Sequence, residues 1–208
     1  MINLDKKHII LLGIIAVIII VGASTFLVWY NSQFDENLIK ASGYQEISLK
    51  ASNDDFHNEF NLKITDYSLI YDKNGVKSSI YSLKEYSDES ESANKNVKKY
   101  LIEAKKYAKN DIEKNYVDLL INKSDVNTES FKTMSKLIDI IGQYVYDEIS
   151  LSEFSQKLFK LNNESSKIQS QQQKINNDIK KLLVEHPEFK LHIQSLNLDS
   201  TYLGEKVY

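Results

Sequence analysis

The run from Ile9 to Tyr30 constrains this chain more than any other feature. It holds no charge and no proline, and it begins directly after Lys6 and Lys7. Roughly 20 apolar helical residues at about 1.5 Å each span a hydrocarbon core of about 30 Å. Such a segment crosses lipid only as a helix, because its backbone N–H and C=O groups must be satisfied internally. Lys6 and Lys7 precede it, and Asp35 and Glu36 are the first charges after it. Lysine on the short side predicts a cytoplasmic N-terminus and an outward C-terminal part. Trp29 and Tyr30 close the run with amphipathic rings suited to the outer interface. A cleaved signal ending near Val21-Gly22-Ala23 is the rival reading. Against it, Phe26-Leu27-Val28-Trp29 continue the run past that point. Small residues four apart, which favour helix pairing in lipid, are absent: Gly13 is followed at that spacing by Val17, and Gly22 by Phe26.

Composition then narrows the outer part. Setting aside Asp5, Lys6 and Lys7 from 29 acidic and 26 basic residues leaves 28 and 24, a mildly acidic remainder. Nucleic acid demands a basic face and is not expected as a partner. Every basic residue other than histidine is lysine. No planar bidentate fork for phosphate or carboxylate is therefore available. With no cysteine, thiolate catalysis, sulfur-bound zinc and iron–sulfur clusters are excluded. One proline and six glycines suit long helices better than a sandwich of short strands.

Apolar spacing supports that reading. Phe56, Phe60, Ile64, Tyr67 and Tyr71 recur every three or four residues, predicting a helix over 54–71 with Asn53 as its cap. Alternation of Phe60, Leu62 and Ile64 before Asn74-Gly75 is the competing strand signal. Under the helical reading Gly75 is a left-handed stop. Helical faces follow from Ile80 and Leu83 through Val97, Leu101, Ala104, Ala108, Ile112, Tyr116 and Leu119. Ser87 to Asn96 is nearly free of apolar residues, which predicts a surface stretch or a break. Asn110-Asp111 and Asn127-Thr128 are candidate caps, the second opening a face of Phe131, Met134, Ile138, Ile141 and Val145. Ser150 or Ser152 opens a final helix with the seam Phe154, Leu158, Leu161, Ser165, Ile168, Gln172, Ile175, Ile179 and Leu182, ended by Pro187.

These features predict an all-α chain: an N-terminal single transmembrane helix, then an extracytoplasmic antiparallel helical bundle with coiled-coil-like packing. The expected divisions are a cytoplasmic tail over 1–7, an anchor over 8–30, a juxtamembrane stalk or helix extension over 31–53, a bundle over 54–186 and a tail over 187–208. Intermolecular coiled coil is the alternative for the long seam.

Candidate chemistry is sparse. His57 lies near Asp54, Asp55 and Glu59, and a carboxylate one turn away could orient its imidazole. His186 and His192 flank Pro187 beside Glu185 and Glu188, a pattern equally consistent with an exposed helix end. His8 falls at the membrane boundary. No nucleophile elbow, phosphate loop, paired-glycine dinucleotide loop or His-Glu-x-x-His occurs. No catalytic, cofactor-binding or metal residue is therefore named. Of 13 tyrosines, Tyr67, Tyr100, Tyr116 and Tyr144 fall on apolar stripes and are expected as core residues; a tyrosine-rich contact face is the alternative. Asn122-Lys123-Ser124 and Asn163-Glu164-Ser165 fit the glycosylation acceptor pattern, the latter within a predicted helix. The expectation is a non-catalytic membrane protein whose partners are the bilayer, through residues 8–30, and a protein or cell-envelope component. A ligand-sensing bundle acting through a membrane partner is the alternative.

Overall fold

Four long helices carry the structure, and the last three each combine an apolar stripe at helical period with a side-chain cap at the N-terminus. The computed structural model describes residues 6–205, without the side chains of residues 6–20, 22, 23 and 66. Helix α1 runs from Lys6 to Leu49, followed without a stop by a π-helical segment, Lys50–Phe56. Short helices α2 (His57–Lys63) and α3 (Asp66–Tyr71) turn the chain at the far end. The remaining long helices are α4 (Lys73–Lys106), α5 (Asp111–Val145) and α6 (Leu151–Glu185). A C-terminal segment follows, with α7 (Pro187–Ser195) and a 3-10 turn (Ser200–Leu203). No strand occurs among the described residues, so the all-helical expectation holds.

Most of the expected anchor, Ile9 to Ile20 with Gly22 and Ala23, lies outside the described side chains. Among the described residues no helix is long and apolar enough to cross a membrane, so a transmembrane anchor over 8–30 is without structural support.

Side-chain caps fix the connections. Asn110 accepts a hydrogen bond from Glu113 N–H, opening α5 at the position expected. Ser150 and Glu153 form a reciprocal capping box at the start of α6. Other boundaries differ from the sequence reading. The stretch 54–71 is not one helix, because Ile64 and Thr65 interrupt it and Thr65 caps α3. Asn53 and Asp54 lie inside the π segment and cap nothing. Gly75 does not stop a helix; it sits in the first turn of α4, where its N–H donates to the Asp72 carboxylate at 3.0 Å. Asn127 and Thr128 are mid-helix in α5. Residues 31–48 extend α1 into the bundle, where Phe34, Leu38 and Ala41 are buried.

Helix α1 packs on α4, α4 on α5 and α5 on α6. The π segment, α2 and α3 turn the chain between α1 and α4, and short connections join α4 to α5 and α5 to α6, so successive long helices run antiparallel. Two apolar cores result. The lower one joins Phe34, Leu38, Val97, Leu101, Tyr116, Leu120, Ile179 and Leu183 with Ile193 and Tyr202 of the C-terminal segment. The upper one joins Phe56, Val76, Leu83, Ile138, Ile141, Tyr144 and Phe154.

Between the cores lies a polar layer. Ser87 to Asn96, expected at the surface or broken, is continuous helix with Ser87, Ser90, Ala93 and Asn94 buried. Small side chains let α4 approach its neighbours closely, and their hydroxyls and amides find partners. Ser48 Oγ donates to the Ser90 carbonyl at 3.0 Å, and Asn94 Nδ2 donates to the Ser124 carbonyl at 2.8 Å. Ser124 Oγ returns a bond to Asn94 Oδ1 at 3.1 Å. Satisfied in this way, buried polar groups specify register instead of costing their full desolvation penalty.

Candidate interhelical cleft

Helices α1 and α6 would close the ring of four, yet the C-terminal segment stands between them at the lower end. His192 Nε2 donates to Asp35 Oδ1 at 2.8 Å, and Asp199 N–H donates to Ser42 Oγ at 2.7 Å. From α5, Tyr116 Oη donates to the Tyr202 carbonyl at 2.8 Å, and Lys123 Nζ donates to the Thr201 carbonyl at 2.8 Å. The segment thus wedges α1 from α6. Above its end the gap continues as a cleft of about 830 Å³ bounded by α1, the π segment, α2, α5 and α6. That volume lies in the range of ligand pockets, roughly 300–1,000 Å³.

Chemistry changes along the cleft. Its lower end holds Gln45, Lys123, Asn127, Gln172, Asn176 and Thr201, and its upper end is mostly apolar, with Phe56, Phe60, Met134, Leu137, Leu158 and Leu161 beside His57, Asn61, Thr133 and Asn162. From Lys123 to Leu137 is 14 residues of α5, a rise of about 21 Å. The π segment supplies Ser52, Asn53 and Phe56 to the wall. Such wide turns are rare, and they recur at functional sites because they re-aim side chains out of helical phase.

Two groups at the lower end stand out. Lys123 is 7% exposed, and its ammonium bonds a carbonyl, that of Thr201, not a carboxylate. An ammonium carries three donors, and that contact uses one. Burial lowers the Lys123 pKa to about 8, and the more distant Asp199 carboxylate partly opposes the shift. Asp199 itself is engaged in capping the 3-10 turn through the Thr201 N–H. Asn176 is 8% exposed, and its Oδ1 receives no hydrogen bond from the protein. Gln172 Nε2 donates to Asn127 Oδ1 at 3.1 Å, joining α6 to α5 across the floor.

The residues singled out by sequence fall elsewhere or at the rim. His57 is exposed at the cleft edge, and its Nδ1–H donates to the Ser52 carbonyl at 2.8 Å. Its expected carboxylate, Asp54, is not that partner. His186 caps the α6–α7 corner, whereas His192 is paired with Asp35. Among the described residues no group of three histidine or acidic side chains could hold a metal ion. The tyrosines divide. Tyr116 is fully buried, Tyr144 is buried, and Tyr100 stacks on Tyr44 at 5.6 Å between centroids. Tyr67 is instead exposed at the far tip beside Tyr71. Asn122 and Asn163 both lie within continuous helix.

Sequence reasoning gave Lys123 and Asn176 no binding role and read Asn127 only as a helix cap. A signal existed for Lys123 and Asn127. Along α5 the buried positions Tyr116, Leu120, Lys123, Asn127 and Phe131 recur at spacings of four, three, four and four, so a lysine and an asparagine occupy stripe positions. No protein-family model, curated protein or solved structure matches the chain.

Proposed function

We propose that this chain is a membrane-tethered, extracytoplasmic, non-catalytic ligand-binding bundle, with the cleft between α1, α5 and α6 as its binding site. The tether and its direction rest on sequence: the uncharged run Ile9 to Tyr30 after Lys6 and Lys7. The observation that carries the binding reading is Lys123, a buried ammonium with spare donors at the end of a cleft of ligand size. A charge held there without a carboxylate opposes folding, which is the pattern expected where a site is built for a ligand. No reaction is proposed: the cleft gathers amides, hydroxyls and apolar side chains around one lysine, and its one imidazole, His57, is bonded to the Ser52 carbonyl and not to a hydroxyl.

The test is a thermal-shift screen of the full chain in lipid nanodiscs against small metabolites, run beside Ser165→Trp, which fills the cleft wall. Compounds that raise the melting temperature of the native chain and not of the variant support the reading. A screen in which every hit shifts both proteins equally refutes it.

A scaffold role is the second reading, favoured by one observation. Leu62, Tyr67, Ile70 and Tyr71 are all more than half exposed at the tip formed by α2 and α3. Apolar side chains gathered in this way mark contact surfaces for protein or envelope partners.

A further inference from the structure

We propose that the cleft binds a single-chain amphipathic monocarboxylate, a fatty-acid-like molecule, with its carboxylate at Lys123 and its tail running upward between α5 and α6. The assignment rests on the cleft being the binding site and adds the ligand's class. Three observations select this chemistry.

The first is the charge count. One lysine lines the lower end, together with the amides of Gln45, Asn127, Gln172 and Asn176. A single ammonium balances one negative charge, so a phosphate dianion would remain half compensated. The chain has no arginine to add a fork. A carboxylate accepts from the two free N–H groups of Lys123 and from neighbouring amide donors.

The second is polarity along the axis. Over the rise from Lys123 to Leu137 the lining passes from amides through Ser130, Ser165 and Gln169 to an upper end where apolar side chains, Phe60, Met134 and Leu158 among them, outnumber the polar His57, Asn61, Thr133 and Asn162. A compact polar metabolite would leave the aromatic end unused, and an uncharged hydrocarbon would leave Lys123 without a counter-ion. Only a molecule with an acid at one end and hydrocarbon at the other matches both.

The third is enclosure. The lower end is shut by the C-terminal segment, held by the Lys123–Thr201 and Tyr116–Tyr202 hydrogen bonds. The head therefore meets a wall, which sets a fixed origin from which tail length is read.

Isothermal titration of the full chain in nanodiscs tests the assignment, with octanoate, decanoate and dodecanoate, the corresponding primary alcohols, and subtraction of empty nanodiscs. Carboxylates are expected to bind about tenfold or more tightly than alcohols of equal length. Affinity is expected to rise about fourfold per added methylene, the ratio given by burying one CH₂ group. Lys123→Met should abolish the acid-over-alcohol preference and keep the length dependence. Ser165→Trp should weaken both series. Equal affinity for acids and alcohols overturns the proposal, as does a preference that survives Lys123→Met. If the carboxylates fail while another compound from the screen still distinguishes the native chain from Ser165→Trp, the cleft remains a binding site and the carboxylate assignment falls.

Discussion

Replacing Lys123 by methionine should stabilise the protein. Lys123 ionises near pH 8 in the folded chain against an ordinary value of 10.5, because burial disfavours its charged form. At neutral pH both the folded and the unfolded chain carry the charge, and the folded state bears the penalty. At about 1.36 kcal/mol per pH unit, that penalty is about 3 kcal/mol. Methionine has similar length and no charge, so it removes the penalty. It also leaves the Thr201 carbonyl without its donor, a loss of about 1–2 kcal/mol. The balance is a gain of about 1–2 kcal/mol, which for a chain of this size raises the melting temperature by about 4 °C. The pH profile supplies an independent sign. Between pH 8 and 10.5 the unfolded chain holds a proton on Lys123 that the folded chain has released, so stability rises with pH across that window. Tyr116 and Tyr202 act oppositely: burial pushes both hydroxyls above their ordinary value of 10, so the unfolded chain ionises first and stability falls above about pH 10. The native chain should therefore be most stable near pH 10, and Lys123→Met should lack the rise that precedes the maximum. Far-UV circular dichroism melts of the full chain in nanodiscs at stepped pH read both effects, with exposed Lys160→Met as the control. A lower melting temperature for Lys123→Met at pH 7, or a native profile flat from pH 8 to 10, refutes the electrostatic account of the site.

The paired tyrosines should respond with opposite signs in chemical denaturation. Tyr116→Phe removes the hydrogen bond to the Tyr202 carbonyl and should lower stability by about 1–2 kcal/mol, whereas Tyr202→Phe removes a buried hydroxyl that has no partner and should be neutral or stabilising. Asn94→Ala breaks the link from α4 to Ser124 and Thr128 and should cost about 2–3 kcal/mol, measured the same way, although it deletes no apolar contact. Gly204 holds φ +76, and a Cβ there would stand 2.5 Å from the Asn176 carbonyl oxygen. Gly204→Ala should therefore detach the C-terminal segment from α6, read as faster amide exchange over residues 196–205 with α4 and α5 still protected.

Helix and bundle were legible because their causes are local. The stripes through Val97, Leu101 and Ala104, through Phe131, Ile138 and Ile141, and through Phe154, Leu161 and Ile179 announce themselves at helical period, and Asn110 and Ser150 cap where their chemistry predicts. The scarcity of glycine and proline and the absence of cysteine likewise limit the class of fold and the kinds of chemistry. What no window of sequence contains is the pairing of remote residues. Ser87 to Asn94 looks like surface until Ser124, Thr128 and Ser135 are set opposite it, because a polar side chain is buried only where a partner waits. The C-terminal segment became a wedge through contacts to Asp35, Ser42, Tyr116 and Lys123, between 78 and 157 positions away in the chain. The cleft, and with it the unusual state of Lys123, exists only because that wedge holds α1 from α6. Burial and desolvation are properties of an assembled packing, so tertiary structure alone could turn one lysine among 26 into a site.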